Sequence, residues 1–361
     1  MLAFHGTIQF ILVALLAAAG PGPDKNVAAE IARGQKLFES GDLAGALEVF
    51  DGAAKAAAKD PRPAYLCGVV LEKKNDMAGA EKAYLDAIGR DPNFGPAHSN
   101  LGGLLLGKGE LALADRQIVL ATIVDPKNAH AAFNLGLLRE AQKRPREAAA
   151  AYRKSLQLNR SDGGCHANLC SVLRELGDLP GAIAECRQAA RLMPKSAAAL
   201  TTLGLLLADG KQLGEAGEQL RKATQVDPMS AAAWSNLGRV ELRRKHAAAA
   251  AGAFAKAAKL DPQDVNIAAE YCQALAEQDL RATMTEEQCR NATAINPNNV
   301  TAHYQLAKAL AARGDCAGVA AEQAELGAVP NVSNQAKAQA SDILKTCVPG
   351  KAAKTSGAGK K

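Results

Sequence analysis

Hydrophobic and small residues return along this chain every 34 residues. The segments HSNLG, AFNLG, HANLC, LTTLG and WSNLG begin at residues 98, 132, 166, 200 and 234. Small residues hold further fixed places, at Gly102, Gly136, Gly204 and Gly238 and, twelve residues later, at Ala114, Ala148, Ala216 and Ala250. Small residues let two antiparallel helices approach closely, and leucines at fixed places would fill the space around the small residues. The pattern therefore predicts one pair of helices in each interval.

The ends of the predicted helices carry their own signals. Turn tripeptides lie midway through the intervals, with SGD at 40–42, LGD at 176–178 and RGD at 313–315. Asp-Pro pairs lie at the ends of intervals, at 60–61, 91–92, 125–126, 227–228 and 261–262. Because proline cannot continue the interior of a helix, these pairs close the second helix. The sequence predicts about nine helix-turn-helix units over 27–327 and a capping helix over 333–347.

The register matches the repeat signature W-x2-L-G-x2-Y…A-x3-F…P. The interval nearest to this signature carries Trp234, Leu237, Gly238, Ala250, Phe254, Ala257 and Pro262. Over residues 27–327 the chain resembles the tetratricopeptide repeat family. The resemblance implies an all-α fold, in the form of a right-handed superhelical solenoid whose first helices line a concave groove, and a protein or peptide as partner.

Composition supports a helical fold and narrows the class of function. Hydrophobic residues make up 48% of the 361 residues but aromatic residues only 4%, and alanine, the best helix former, is abundant. With few aromatic rings to stack on bases and a net charge of +6, we expect no nucleic-acid partner. The chain has no CxxC or HExxH spacing and no Ser-His-Asp order. We therefore expect no metal site, no cofactor and no catalysis.

The two ends of the chain differ from the repeats. Residues 8–20 form an apolar run that is followed by small residues, which is typical of a signal peptide with cleavage after Ala19. We expect a signal peptide over 1–19, a linker over 20–26 and a periplasmic or secreted protein. The alternatives are an uncleaved membrane anchor, or a cytoplasmic protein if the segment is not a signal. The sequence of 348–361 predicts a disordered basic tail.

A carboxamide recurs at the sixth position of the predicted repeats. It is present at Asn100, Asn134, Asn168 and Asn236, with Gln305 in the equivalent place. The resemblance implies an asparagine ladder that holds the backbone of an extended peptide, since a carboxamide both donates and accepts hydrogen bonds. The alternative is that asparagine is common at this position for structural reasons, either solvated or bonded to a neighbouring repeat.

Two further sets of residues lie on the predicted first helices of the repeats. Arg239 and Arg243 lie three and seven residues beyond Asn236, on the same helical face, where they could pair with a carboxylate of the peptide. The alternative is a solvated basic helix end, because RVELRRKH is a charged run. The fourth position of the repeats, where we expect residues of the helix interface, carries His98, His166, Trp234 and His303.

The eight cysteines are even in number, which favours pairing in an exported protein. Three pairs are expected: Cys170 with Cys186, Cys272 with Cys289, and Cys316 with Cys347. The first two pairs lie level across a predicted helical hairpin, and the third would attach the capping helix to the last repeat. Cys67 and Cys165 have no evident partner. The alternative is that all these residues are reduced thiols that pack as small core residues.

Two functions remain open. The first is a non-catalytic scaffold that binds an extended protein segment in its concave groove through the asparagine ladder. The second is a structural subunit of an envelope or secreted complex that uses its convex face or its capping helix. In the first case alanine at the asparagine positions abolishes binding, whereas in the second those positions tolerate alanine.

Overall fold

The computed structural model describes residues 25–349. This part of the chain contains nineteen α-helices joined by short turns and has no strand. The all-α fold that the sequence predicts is therefore confirmed. The predicted signal peptide, the predicted linker as far as Asp24 and the predicted tail from Gly350 lie outside the described residues.

The first of two compact units ends at Met193. Its ten helices are α1 Lys25–Glu39, α2 Leu43–Ala56, α3 Pro61–Lys73, α4 Met77–Arg90, α5 Gly95–Gly107, α6 Leu111–Val124, α7 Ala129–Ala141, α8 Pro145–Leu158, α9 Gly163–Glu175 and α10 Leu179–Leu192. Consecutive helices pack as pairs, from α1 with α2 to α9 with α10. Because α1 begins at Lys25, the last two residues of the predicted linker are helical.

The second unit begins at Pro194. Its nine helices are α11 Ala197–Asp209, α12 Leu213–Val226, α13 Ala231–Arg243, α14 Ala247–Leu260, α15 Val265–Gln278, α16 Thr283–Ile295, α17 Val300–Ala312, α18 Cys316–Ala328 and α19 Asn334–Thr346. The first eight form four pairs, α11 with α12 to α17 with α18. In both units the carboxamides of the sixth position lie on the first helix of a pair.

A left-handed backbone conformation recurs in the turn inside these pairs. It is found at Gly41, Asn75, Gly109, Lys143, Gly177, Lys211, Lys245 and Gly314. Glycine adopts positive φ without a steric penalty, which is the physical reason for the SGD, LGD and RGD turns. The aspartate of these tripeptides caps the next helix, as when Asp42 Oδ1 accepts a hydrogen bond of 2.9 Å from the Gly45 N–H.

The recurrent glycine lets the two helices of a pair touch. A Cβ atom added at Gly136 would lie 2.4 Å from the ring of Tyr152, and one at Gly238 would lie 2.7 Å from the ring of Phe254. Both rings are fully buried. The aromatic side chain of the second helix therefore fills the space that a side chain on the first helix would need.

The last helix covers the apolar end of the second unit. α19 packs against α17 and α18, where Ile343 and Leu344 contact a core cluster that includes Leu306 and Leu310. The hydroxyl of Ser333 caps its first turn. The helix lies within the range for which the sequence predicts a capping helix. Within residues 25–349, no helix has the length and apolar character needed to cross a bilayer.

Candidate partner-binding face

Asn100 is bonded to a tyrosine of the preceding helix pair. Its Nδ2 donates a hydrogen bond of 3.2 Å to Tyr84 Oη, and the Tyr84 hydroxyl donates to the carboxylate of Glu72. Asn100 and Tyr84 are both buried. Burial raises the pKa of Glu72, although the tyrosine hydrogen bond works in the opposite direction, and burial also raises the pKa of Tyr84 well above its ordinary value. The Asn100 amide therefore belongs to an internal polar network.

The same arrangement recurs around Asn168. Tyr152 donates a hydrogen bond to Glu140 and also interacts with the side chain of Asn168. Burial raises the pKa of both Glu140 and Tyr152. Asn168 is only half-buried, so it combines an internal contact with some exposure to solvent.

Asn134 bonds to the backbone of a neighbouring repeat. Its Nδ2 donates to the carbonyl oxygen of Ser99 at 3.0 Å and lies 3.3 Å from Ser99 Oγ. The residue is 3% exposed. In the first unit, Asn100 and Asn134 thus make the contacts that the structural alternative for this position describes.

The carboxamides of the second unit have a different environment. Asn236 is half-buried, and its side chain has no hydrogen-bond partner among residues 25–349. Gln305 is buried, and its Oε1 atom has no hydrogen-bond partner within the same range. A buried polar atom without a partner costs about 1–3 kcal/mol.

Both candidate arginines have partners inside the second unit. Arg239 Nε lies 2.6 Å from Glu270 Oε1, and Ser235 Oγ lies 3.4 Å from the other oxygen of that carboxylate. Arg243 Nη2 donates a hydrogen bond of 2.7 Å to the carbonyl of Ala208, near the end of α11. The Arg239 side chain is 48% exposed, so it retains donors that a partner can reach, whereas Arg243 stabilises a helix end.

The residues at the fourth position bridge helices, as expected. The Nδ1 atoms of His98, His166 and His303 lie 2.6, 2.6 and 2.7 Å from Gln117, Glu185 and Glu322. The Nε2 atoms of the same histidines meet backbone carbonyls of the connection before the helix, and Trp234 Nε1 donates to the Pro228 carbonyl in the same way. The hydrogen bond from Glu322 raises the pKa of His303. These residues are structural.

Glu241 is a buried carboxylate in the second unit that the sequence did not predict as a site residue. Glu241 is 2% exposed and contacts Arg221 Nη1 at 2.7 Å, Arg244 Nη1 at 3.0 Å and His246 Nδ1 at 2.9 Å. Glutamate here replaces the tyrosine of the W-x2-L-G-x2-Y signature, and that departure was the signal for this cluster. Between residues 25 and 349, no group of His, Cys, Asp and Glu side chains is arranged to hold a metal ion.

The structure joins the six candidate cysteines into three disulfides. The Cα–Cα distances are 5.4 Å for Cys170–Cys186, 4.7 Å for Cys272–Cys289 and 5.7 Å for Cys316–Cys347. The first two are buried and each joins the two helices of a pair, whereas the third is partly exposed and joins the start of α18 to the end of α19. Cys67 and Cys165 are free and buried, and burial raises the pKa of each thiol to about 12.

The fold and the register define a helical repeat protein, and comparison with known families identifies its class. A tetratricopeptide repeat model matches residues 31–94, 99–163 and 169–225, slightly more than half of the chain. The model of the cytochrome c-type biogenesis protein H TPR domain matches residues 210–322. The chain belongs to the tetratricopeptide repeat family. Its fold is that of a protein-interaction scaffold, and proteins of this family are generally non-catalytic.

Individual relatives are more distant. The chain is 23% identical to the BBSome complex member BBS4 homolog of Drosophila melanogaster over 132 residues, which are 37% of this chain and 27% of that protein. The chain thus spans about a quarter of the length of that relative.

Three solved structures are similar in fold. YrrB, described as a TPR protein with an unusual peptide-binding site, is 25% identical, with 55% of this chain and 99% of that chain covered and a TM-score of 0.49. PilF of Pseudomonas aeruginosa is 18% identical, with coverage of 59% and 96% and a TM-score of 0.46. A chain of the APC/C hetero-tetramer Cut9–Hcn1 is 17% identical, with coverage of 84% and 59% and a TM-score of 0.45.

Proposed function

We propose that this protein is a non-catalytic scaffold that binds an extended segment of a partner protein along α13, α15 and α17, the first helices of three pairs in its second unit. The observation that carries the proposal is the hydrogen bonding of the carboxamide side chains at the sixth position of the repeats. Asn236 and the Oε1 atom of Gln305 have no hydrogen-bond partner among residues 25–349, whereas Asn100 and Asn134 use their amides inside the fold. The ladder proposed here is therefore shorter than the one predicted from the sequence.

The chemistry of these amides suits a peptide backbone. A carboxamide offers a donor and an acceptor, so it matches a peptide bond without selecting the side chain. Asn236 and Gln305 occupy the same register on either side of Glu270, which takes the sixth position of the repeat between them. An extended segment that crosses the three helices would meet both amides.

Specificity would come from charged and aromatic neighbours. Arg239 is about half exposed beside Glu270, and Lys308 Nζ lies 5.5 Å from the centre of the Tyr304 ring. Both cations are on first helices of the second unit, where they would attract a carboxylate of the partner. Arg243 contributes indirectly, because it holds the end of α11.

The test compares two double variants of the full chain. The first combines Asn236→Ala with Gln305→Ala, and the second combines Asn100→Ala with Asn134→Ala. The probes are extended peptides selected on the wild-type chain from a displayed random library. The first variant should bind them about ten-fold more weakly at unchanged stability, since two hydrogen bonds of ~0.5–1.5 kcal/mol are lost. The second should lose stability and keep its affinity. Equal affinity of wild type and the first variant would contradict the proposal.

We also propose a periplasmic or secreted location. Three disulfides among the described residues are compatible with an oxidising compartment, and the apolar segment at residues 8–20 supports export. The measurement is alkylation of the protein in intact cells with and without prior reduction, followed by mass spectrometry. Six protected cysteines in the extracytoplasmic fraction support the location, and eight free thiols in the cytoplasm contradict it.

The second candidate function is an assembly subunit of an envelope or secreted complex. The match of residues 210–322 to the cytochrome c-type biogenesis protein H TPR domain gives this candidate a specific form, a role in making c-type cytochromes. The test is deletion of the gene, followed by a haem stain for c-type cytochromes. The deletion strain is then complemented with the gene that carries Asn236→Ala and Gln305→Ala. If the deletion abolishes the stain and this variant restores it, the result would favour an assembly role that does not need these amides.

A further inference from the structure

A groove lies between α2 and α4 in the first unit, with α3 as its floor. Its volume is about 740 Å³. The apolar part of its lining includes Leu47, Ala54, Ala64, Cys67, Leu71 and Ala83. α3 has 13 residues, so the floor extends over about 20 Å. These dimensions suit one helical segment better than a compact small molecule.

Three of the residues that line the groove are small. Ala64 holds the fourth position of its repeat, Cys67 the seventh and Ala83 the twenty-third. In the next repeat, the same positions carry His98, Leu101 and Gln117. The histidine there bridges the helix pair through its 2.6 Å contact with the glutamine, and two further histidines make the equivalent bridge to glutamates. The fourth and twenty-third positions are alanine again at Ala132 and Ala151, so the feature that distinguishes the α3–α4 pair is Cys67, because the seventh position of the next five repeats is leucine.

The charges along the groove are not balanced within the fold. Among the charged residues of the lining, two ion pairs are formed, Lys55 with Asp51 at 2.5 Å and Arg90 with Asp86 at 2.8 Å. Lys74 and Lys82 are exposed and have no ion-pair partner within residues 25–349, and Glu48 is the carboxylate without one. Two unpaired ammonium groups thus stand against one unpaired carboxylate, which favours an acidic occupant.

We propose that this groove docks an amphipathic helix of a partner protein. The apolar face of that helix lies over Leu47, Leu71 and Ala83, which are partly exposed, and meets Cys67, which is 8% exposed. Acidic residues on its flank face Lys74 and Lys82. Helices that bind in grooves present apolar residues at i, i+3, i+4 and i+7, and this spacing follows the length of α3. The site is separate from the carboxamides of the second unit.

The direct test fills the groove with the residues of the next repeat, by Ala64→His with Ala83→Gln. The matched control is Ala132→His with Ala151→Gln, which makes the same change at the same two positions of α7 and α8. The probe is a synthetic amphipathic helix of about 15 residues, with Leu and Phe on one face and Glu on one flank. We expect the filled groove to bind the probe at least about ten-fold more weakly than wild type, and the control to match wild type.

The charge argument has its own test. Lys74→Ala with Lys82→Ala should weaken binding of the acidic probe by about two- to ten-fold, since exposed pairs contribute modestly. A probe in which every Glu is replaced by Gln should bind wild type and this variant equally. An equal loss for both probes would overturn the assignment of an acidic partner.

Cys67 reports on occupancy independently of affinity, because its thiol lines the groove. In prolonged labelling at alkaline pH, the bound probe should slow alkylation of Cys67, which is 8% exposed, and leave that of Cys165, which is fully buried in α9, unchanged. Equal binding by wild type and the filled variant, or no protection of Cys67, would overturn the proposal. Binding of oleate without binding of the helix would assign the groove to a small amphiphile instead. Neither result would alter the outcome for Asn236 and Gln305, which are tested with different probes and variants.

Discussion

The sixth position of the repeats carries a carboxamide in both units, yet the two units use it differently. In the first unit Asn100 donates to Tyr84 and Asn134 donates to Ser99, and both are buried. In the second unit Asn236 and the Oε1 atom of Gln305 have no hydrogen-bond partner among residues 25–349. The same position therefore supports the fold through its hydrogen bonds in the first unit, and in the second unit it leaves side-chain hydrogen-bonding capacity unused among the described residues.

The residue on the preceding helix helps to decide between these roles. Tyr84 precedes Asn100 and Tyr152 precedes Asn168, and each tyrosine places a hydroxyl within reach of the amide. Leu220 takes the equivalent position before Asn236, and a leucine offers no polar atom. A recurrent polar residue should thus be interpreted together with its neighbour in the previous repeat.

The largest expected effect concerns the disulfides, of which the first unit has one and the second has two. Removing a link that closes a loop of about 15 residues lowers the free energy of unfolding by about 3 kcal/mol. Replacing Cys272, Cys289, Cys316 and Cys347 by alanine should therefore destabilise the second unit by about twice as much as Cys170→Ala with Cys186→Ala destabilises the first. Hydrogen exchange in urea, followed separately for each unit, measures both values. Equal losses would show that the units depend equally on their links.

The next largest effect separates the two kinds of carboxamide. Asn134→Ala should lower the free energy of unfolding by about 0.5–1.5 kcal/mol, because the buried hydrogen bond to the Ser99 carbonyl is lost while that carbonyl keeps its helical N–H donor. Asn236→Ala should change it by less than about 0.5 kcal/mol, since no internal hydrogen bond is lost. Urea unfolding of both variants is the measurement. A large loss in Asn236→Ala would remove the contrast between the units.

The helices, their pairing and the positions of the three cysteine pairs follow from features that the sequence displays directly. Glycine, alanine and proline recur at fixed spacing, and each has a local physical effect that needs no knowledge of its neighbours. The role of an asparagine is different, because it depends on which atom of the previous repeat lies beside the amide. Asn100 and Asn236 occupy the same position of their repeats, and the contact with Tyr84 and the deeper burial of Asn100 distinguish them.

The groove in the first unit could not be predicted from single residues, for a related reason. Ala64, Cys67 and Ala83 are unremarkable as single residues, and alanine recurs at the first and third of these positions in other repeats, as at Ala132 and Ala151. Aligning the seventh position would have singled out Cys67, because the next five repeats have leucine there. The Tyr84–Glu72 pair has a comparable signal, since the same tyrosine and glutamate spacing recurs at Tyr152 and Glu140.

The internal network of the first unit should give it a dependence on pH. Burial raises the pKa of Glu72 above its ordinary value of 4.5, so the folded state holds this proton more tightly than the unfolded state. Stability should therefore fall as the pH rises from about 4.5 through the raised pKa of the folded state. Glu72→Gln should flatten this part of the profile. Tyr84→Phe should extend the fall to higher pH, because the tyrosine hydrogen bond lowers the pKa of Glu72. Urea unfolding between pH 4 and 8 measures all three profiles.

The smallest effect lies in the second unit and connects its stability to the proposed binding site. The hydrogen bond with Glu322 raises the pKa of His303 above 6.5, so the folded state again binds the proton more tightly. The resulting stability is complete below about pH 6.5 and is lost as the pH rises through the pKa of the folded state. At low pH, His303→Gln should therefore have a free energy of unfolding lower than that of wild type by about 1 kcal/mol or less. This difference should shrink above pH 6.5. Glu322→Gln should show the same profile, because it removes the cause of the shift.

His303 and Gln305 lie on the same helix, α17, so this bridge bears on the proposed site. If α17 must be held firmly for Gln305 to meet a peptide, affinity for the selected peptides should decline over the same pH range in wild type and be insensitive to pH in His303→Gln. An affinity that is independent of pH in both proteins would show that the packing of α17 alone, through Leu306 and Leu310, is enough to position the amide. Either result decides whether the second unit, like the first, relies on a titratable side chain to hold its polar residues in place.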